Sequence, residues 1–368
     1  MSTFAIMNTE YVLTPLKYPL IVAQDNYATI AKLFQSDAES GCSFFILVDE
    51  NTNKYCLPQL ITNVEALALA EIIEIDSGEE NKTIETCTQL WEVLTELGAD
   101  RHSVMINLGG GVITDMGGFV AATYKRGIRF YNIPTTLLAQ VDASTGSKTG
   151  VDLGGLKNQI GLFTDPQAVY INPRFLRTLP NEQLQSGFGE IVKHALIADK
   201  EYWNLVKSEV YYDVTNWGRL IRPSLDIKSG IVLKDPTEKG LRKLLNFGHT
   251  IGHALETFAL ENNRPLLHGQ AVALGMLAEA WLSTQLTGLT KEEFDEIQQV
   301  ILSNFDVFLF SETDFARIME LMGHDKKNVS GNVRLSLLKK IGEGVFDITC
   351  DKLLLIESLR YLVALNNN

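Results

Sequence analysis

A change of texture at Leu179-Pro180 constrains this chain more than any other feature. Before it, short β-rich runs alternate with helical patterns. Ser43 to Val48 (SFFILV), Ser103 to Leu108 (SVMINL), Arg129 to Ile133 and Ala168 to Ile171 read as strands. Thr83 to Leu97 and Asp115 to about Tyr124 read as helices between them. Such alternation, with β-branched strands, predicts a parallel sheet covered by helices. Beyond the change, long helical periods cover 181–199, 219–234, 241 to about 260, 268–285 and 291–305. A hairpin (Val333 to Leu338, Val345 to Thr349, with Gly342 and Gly344 in the turn) and a final helix close the chain. At 368 residues two domains are expected: an α/β domain over 1–179 and a mainly α-helical one over 180–368.

The formal charge of −13 argues against nonspecific nucleic-acid binding, which needs Lys and Arg to neutralise phosphates. It leaves room for an anionic small molecule, because a local basic pocket outweighs the global field at short range. Cys42, Cys56, Cys87 and Cys350 are scattered with no CxxC spacing, which speaks against thiolate zinc and for a reducing, cytoplasmic setting. The first residues lack a basic stretch followed by an apolar one, and no apolar run approaches roughly 18 residues. Neither a secretory signal nor membrane association is expected.

Chemistry concentrates in a few strings. Leu245-Asn246-Phe247-Gly248-His249-Thr250-Ile251-Gly252-His253 is followed fifteen residues later by His268, which gathers three of six histidines. Arg242, Asn246, His249 and His253 fall at offsets 0, 4, 7 and 11, the spacing at which a single helix normally buries apolar side chains. A polar, metal-competent stripe there predicts an active-site wall. Glu190, Lys193 and His194 share one face of an otherwise apolar helix, an expensive trio to bury without partners. Three histidines and a glutamate suggest a divalent metal of zinc type with a position open for substrate. The pair resembles H-E-x-x-H, but Thr250 stands where a protease base would be. Gly109-Gly110-Gly111 sits between a strand and a helix, where amides and a helix N-terminus cradle a pyrophosphate or simply make a tight turn. Asp49-Glu50-Asn51 and Gly78-Glu79-Glu80-Asn81-Lys82 lie where ribose hydroxyls bind in α/β sheets, or are solvated loops. The small-residue loop before Lys148 resembles a phosphate cradle without Walker spacing.

Taken together, the strings GGGVxxDxxGFxAAxYxRGI, PTTLLAxVDAS, LNFGHTIGHAxE and LHGxAVAxGM resemble the 3-dehydroquinate synthase family of the sugar-phosphate cyclase superfamily. The resemblance runs from Gly78 to the Asp325-Lys326-Lys327 segment. It implies a Rossmann-like NAD-binding domain, a helical metal- and substrate-binding domain, and a homodimer with its active site in the cleft between domains. It further implies conversion of 3-deoxy-D-arabino-heptulosonate 7-phosphate to 3-dehydroquinate and phosphate by NAD-mediated transient oxidation, phosphate β-elimination, re-reduction and aldol cyclisation.

Carried over by position, the metal ligands (zinc or cobalt) are Glu190, His249 and His268, and His253 becomes an acid/base group rather than a ligand. NAD falls to Asp49, Asn51, Glu79, Lys82, Gly110, Gly111, Asp115, Thr135, Thr136, Lys157 and Thr178. The anionic sugar phosphate falls to Arg126, Asp142, Lys148, Asn158, Lys193, Lys228, Arg242, Asn246 and Lys327 or its neighbour Lys326. So many cations in an acidic chain suit a ligand carrying carboxylate and phosphate. Sister cyclases lack the substrate carboxylate, and a metal-dependent NAD alcohol dehydrogenase needs fewer cations. Retention of Lys228, Arg242, Asn246 and the Lys326-Lys327 pair favours this family over the sister cyclases. One departure stands out: Ser147 replaces the glycine before Lys148, which is permitted only if its φ is negative.

Overall fold

The structure is a computed structural model that describes residues 11–13, 16–23, 26–154, 156–323 and 333–365. It divides into two compact units, 1–179 and 180–368. In chain order the first contains β1 (Tyr11–Leu13), β2 (Leu20–Val22), α1 (Ala28–Glu39), β3 (Phe44–Asp49), α2 (Glu50–Tyr55), α3 (Leu57–Asn63) and β4 (Glu71–Ile75). It continues with α4 (Ile84–Glu96), β5 (Val104–Gly109), α5 (Gly111–Thr123), β6 (Arg129–Pro134), β7 (Lys148–Leu153), β8 (Leu156–Phe163) and β9 (Val169–Ile171). Seven strands form one sheet in the order β1-β2-β9-β6-β5-β3-β4, parallel throughout except for the antiparallel β1–β2 edge. β7 and β8 make a separate hairpin.

Both faces of the sheet are buried, and the strands read accordingly. Ile46, Val48, Val104, Ile106 and Leu108 enter one core with Ile30 and Phe34 of α1. Phe45, Leu47 and Met105 point the other way, into a core with Leu90 of α4 and Met116 and Val120 of α5. Alternation with no polar face is what a parallel sheet covered on both sides requires. The chain passes from β3 outward to β4 and then returns to β5 on the other side of β3, so the winding reverses between β3 and β5. In open α/β sheets ligands bind at the carboxyl ends of the strands at such a reversal.

The second unit is helical: α6 (Asn181–Ala198), α7 (Lys200–Val206), α8 (Gly218–Lys234), α9 (His249–Glu261), α10 (His268–Leu286), α11 (Lys291–Asn304), α12 (Phe315–Gly323), then the hairpin β10 (Val333–Lys340) and β11 (Glu343–Cys350), and α13 (Lys352–Leu365). α9 and α10 meet backbone to backbone. A Cβ on Gly275 would stand 1.9 Å from the Gly248 carbonyl oxygen, and one on Gly252 would stand 2.9 Å from that of Ala271. No helix among the described residues is long and apolar enough to cross a membrane.

Three expectations change. The helix expected from Asp115 begins four residues earlier, at Gly111 with Gly110 as N-cap, so the glycine run itself opens the helix. The single helix expected over 241–260 is two pieces: a 3-10 turn Leu241–Asn246, a break at Phe247-Gly248, and then α9. Gly248 takes φ +80°, left-handed backbone that a helix interior excludes. Arg242 and Asn246 therefore do not share one helical stripe with His249 and His253. In the late hairpin Gly342 occupies the turn with φ +85°, whereas Gly344 lies inside β11.

Candidate cofactor cradle and metal centre

Four adjacent strand ends in the first unit carry the residues suited to a dinucleotide. Asp49 ends β3 and caps α2, where its Oδ1 accepts from the Thr52 amide at 2.7 Å; Asn51 stands exposed in the first turn of that helix. Glu79 and Lys82 follow β4. Gly110 and Gly111 follow β5, and a Cβ on Gly110 would lie 3.0 Å from Thr136 Cγ2, so that surface accepts backbone only. Thr135 and Thr136 follow β6; the Thr135 amide donates to the Gly109 carbonyl at 3.0 Å. Free amides at a helix N-terminus, a bare glycine surface and flanking hydroxyl and carboxylate groups fit the phosphates and riboses of a dinucleotide.

Lys82 is the hub of this cradle. Only 3% exposed, its ammonium donates to Asp115 Oδ2 at 2.7 Å and to Asn158 Oδ1 at 2.8 Å, with Glu79 Oε1 at 3.9 Å. Burial pulls its pKa down, but the charges of Asp115 and Glu79 outweigh that and raise it above the ordinary value. Asn158 takes φ +51°, and its amide donates to Asp152 Oδ1 at 2.6 Å. Lys157 lies 3.9 Å from Glu79. Lys148 and Arg126 are exposed, Asp142 is half-buried, and Thr178 is exposed with its hydroxyl on the Phe175 carbonyl. Ser147 contradicts its expectation. Its φ is +62°, left-handed backbone, and its hydroxyl donates to the Asp165 carboxylate on the far side of the β7–β8 hairpin.

The second unit holds the other cluster. On α6, Glu190, Lys193 and His194 are all essentially buried; Lys193 pairs with Glu190 Oε2, and His194 Nδ1 meets Ser224 Oγ at 2.6 Å. Glu190 Oε1 faces His249 Nε2 at 3.5 Å and His268 Nε2 at 3.4 Å. Ligand atoms about 2.1 Å from a tetrahedral ion stand about 3.4 Å apart, so this spacing suits a zinc-type ion. The far nitrogens fit as well. His249 Nδ1 meets the Phe247 carbonyl at 3.1 Å and His268 Nδ1 meets Glu256 Oε2 at 3.4 Å, which leaves each Nε2 directed at Glu190. His253 is exposed, its ring 5.1 Å from that of His249 and 5.6 Å from that of His268. All three histidines offer nitrogens within 4.8 Å of one another. Burial and the nearby Lys193 charge hold His249 well below its usual pKa. For His268 burial acts downward, but Glu190 and Glu256 raise it to about 10.

Lys228 and Arg242 are also buried. The loop carrying Arg242 is held by Asp235, whose carboxylate accepts from the amides of Lys239, Gly240 and Arg242 at 2.7–3.0 Å. Asn246 donates to Glu238 Oε1 at 2.8 Å. Lys326 and Lys327 lie outside the described residues. Asp235, Glu238 and Glu256 were not anticipated from the sequence. Glu256 had a signal, because it continues the Arg242 stripe at offset 14; Asp235 and Glu238 act through loop geometry, which has no period.

These two clusters define a class that joins a dinucleotide-type α/β fold to a helical metal-competent unit, and comparison with known proteins agrees. A 2-deoxy-scyllo-inosose synthase solved with carbaglucose-6-phosphate, NAD+ and Co2+ is 24% identical and superposes with a TM-score of 0.83 over 96% of this chain and 99% of its own. A 2-epi-5-epi-valiolone synthase from Streptomyces hygroscopicus subsp. jinggangensis, solved with NAD+ and Zn2+, is 27% identical with a TM-score of 0.82 over 96% and 98%. Family models described as 3-dehydroquinate synthase N-terminal and C-terminal match residues 72–186 and 187–328. A 3-dehydroquinate synthase of Parabacteroides distasonis is 43% identical over 86% of this chain and 90% of its own length. One from Geobacillus thermodenitrificans is 38% identical over 92% and 93%. The chain belongs to the 3-dehydroquinate synthase family, and it is an enzyme of that lyase-type cyclase class.

Proposed function

We propose that this protein converts 3-deoxy-D-arabino-heptulosonate 7-phosphate to 3-dehydroquinate and phosphate in the shikimate pathway. The observation that carries the reading is Glu190 Oε1 at tetrahedral donor spacing from the Nε2 of both His249 and His268, on a unit that also buries Lys193, Lys228 and Arg242. Membership of the family favours this substrate over those of the sister cyclases.

When bound, NAD takes up and returns a hydride while a divalent cation polarises substrate hydroxyls. The first unit, 1–179, is the NAD-binding domain of this reading, with Asp49, Asn51, Glu79, Lys82, Gly110, Gly111, Asp115, Thr135, Thr136, Lys157 and Thr178 toward the cofactor. The second, 180–368, carries the metal ligands Glu190, His249 and His268. Lys193, Lys228, Arg242, Asn246 and Lys327, with Arg126, Asp142, Lys148 and Asn158, bind and orient the anionic substrate and stabilise charge as phosphate leaves. His253, exposed beside the two ligand histidines, holds or passes a proton. Zinc or cobalt and a homodimer belong to the same reading and rest on the resemblance; a cytoplasmic location rests on the scattered cysteines.

The test compares substrates. Turnover of the heptulosonate phosphate, with sedoheptulose 7-phosphate and glucose 6-phosphate inert, is the expected result. Turnover of sedoheptulose 7-phosphate alone would make this a sister cyclase.

A further inference from the structure

We propose that Glu279, a wholly buried carboxylate on α10, is a positioning residue for the candidate metal centre. It acts on the backbone of α9 rather than on a ligand side chain. The proposal rests on reading Glu190, His249 and His268 as the metal ligands.

His249 is the first residue of α9 and His268 the first residue of α10. Their relative placement therefore depends on how the start of α9 is held against α10. The contact there is backbone on backbone, because Gly248 at φ +80° leaves room for nothing else: a Cβ on it would lie 2.5 Å from Met276 Cγ and 2.8 Å from the Val272 carbonyl oxygen. Glycine contacts bring the helices close but supply no directional bond. Glu279, one turn beyond Gly275, supplies it. Its Oε2 accepts from the Gly248 amide at 2.6 Å and its Oε1 lies 3.4 Å from the Ile251 amide, so the two amides bracketing His249 share one carboxylate.

The chemistry suits that job. Amides in the first turn of a helix have no partner within the helix, and a negative group there also meets the positive end of the helix dipole. α9 has no side-chain cap of its own, since its N-cap is Gly248. Glu279 thus caps from a neighbouring helix, and the capped turn is the one that presents His249. A shift at Gly248 would carry the His249 ring with it and spoil the 3.5 Å approach to Glu190. Outer groups that orient a ligand in this way typically change metal affinity by about 10–100-fold when removed.

The experiment measures Co2+ affinity by chelator competition, together with the visible absorption of the bound ion, on the full-length protein and its variants. Glu279→Ala is expected to raise the Kd about 10–100-fold and to change the spectrum, and Glu279→Gln to give a smaller change of the same kind. Ser283→Ala is the control: one turn further along α10, Ser283 is also buried but bonds the Glu279 carbonyl and the Leu338 amide, not α9. It is expected to leave both readouts unchanged. If Glu279→Ala does not fold, Glu279→Gln decides alone. Wild-type Kd and spectrum in the Glu279 variants would overturn the proposal, as would an equal loss in Ser283→Ala. If the wild type fails to bind Co2+, or His249→Ala and His268→Ala bind it normally, the metal reading fails and the proposal with it.

Discussion

Replacing Lys82 with Met keeps an unbranched chain one atom shorter and removes the charge. Its ammonium is 3% exposed and makes two close bonds, to Asp115 at 2.7 Å and Asn158 at 2.8 Å. Removing one member of a buried pair costs about 3–5 kcal/mol, because the other charge is left without compensation. Here the Asp115 side chain retains 19% exposure, so water recovers part of that and the low end, about 3 kcal/mol, applies. At about 2–4 °C per kcal/mol for a unit of this size, Tm should fall by about 6–12 °C. Adding Asp115→Asn should recover part of the loss, since no unpaired carboxylate then remains. Sign and pH window follow from the raised pKa of Lys82. Its contribution is fully present below the ordinary value of 10.5 and fades as pH rises through the higher folded value, so the gap between wild type and variant should close only in strong alkali. Thermal unfolding of the two single variants and the double variant, followed by circular dichroism, is the assay. A loss under about 1 kcal/mol for Lys82→Met, or strict additivity with Asp115→Asn, would refute the reasoning.

Ser147 offers a second cycle. Left-handed backbone costs a non-glycine residue about 1–2 kcal/mol, and the bond to Asp165 offsets about 0.5–1.5 kcal/mol. Asp165→Ala should therefore destabilise the wild type by about 1 kcal/mol and the Ser147→Gly protein hardly at all; equal losses in urea unfolding would contradict this. Asp235 holds the Arg242 loop, and although burial acts upward on its carboxyl, the amides of Gly240, Lys239 and Arg242 hold its pKa below the usual 3.8. Its contribution is present above 3.8 and lost as pH falls through the lower folded value, so Asp235→Asn should flatten the acid limb of stability against pH. The same variant should raise KM about tenfold with a smaller change in kcat, and an unchanged KM would remove Asp235 from substrate positioning. Glu190→Ala and His268→Ala should each abolish turnover beyond about 100-fold; full activity in either would reject the metal assignment.

Legibility in the sequence followed the physics of each signal. The central strands were readable because mainly apolar runs such as SVMINL are buried on both faces and have no exposed face to interrupt them. β1, β2, β4 and the β7–β8 hairpin went unread. The first two are only three residues long, and β4 is an edge strand interrupted by exposed Glu71 and Glu74. The break at Gly248 was hidden because Arg242, Asn246, His249 and His253 keep a helical period across it. Such a break is set by backbone contact with α10, not by local sequence. The histidine cluster was visible as a concentration of rare residues, whereas Asp235 and Glu279 act on backbone amides and so leave no pattern of their own.

The most direct test of the central claim follows phosphate, 3-dehydroquinate and NADH together, from purified protein with the heptulosonate phosphate, a divalent cation and a trace of NAD. The proposed reaction requires one phosphate for each dehydroquinate, many turnovers for each NAD, and no net NADH. Accumulating NADH without phosphate release would contradict it and make the protein a dehydrogenase.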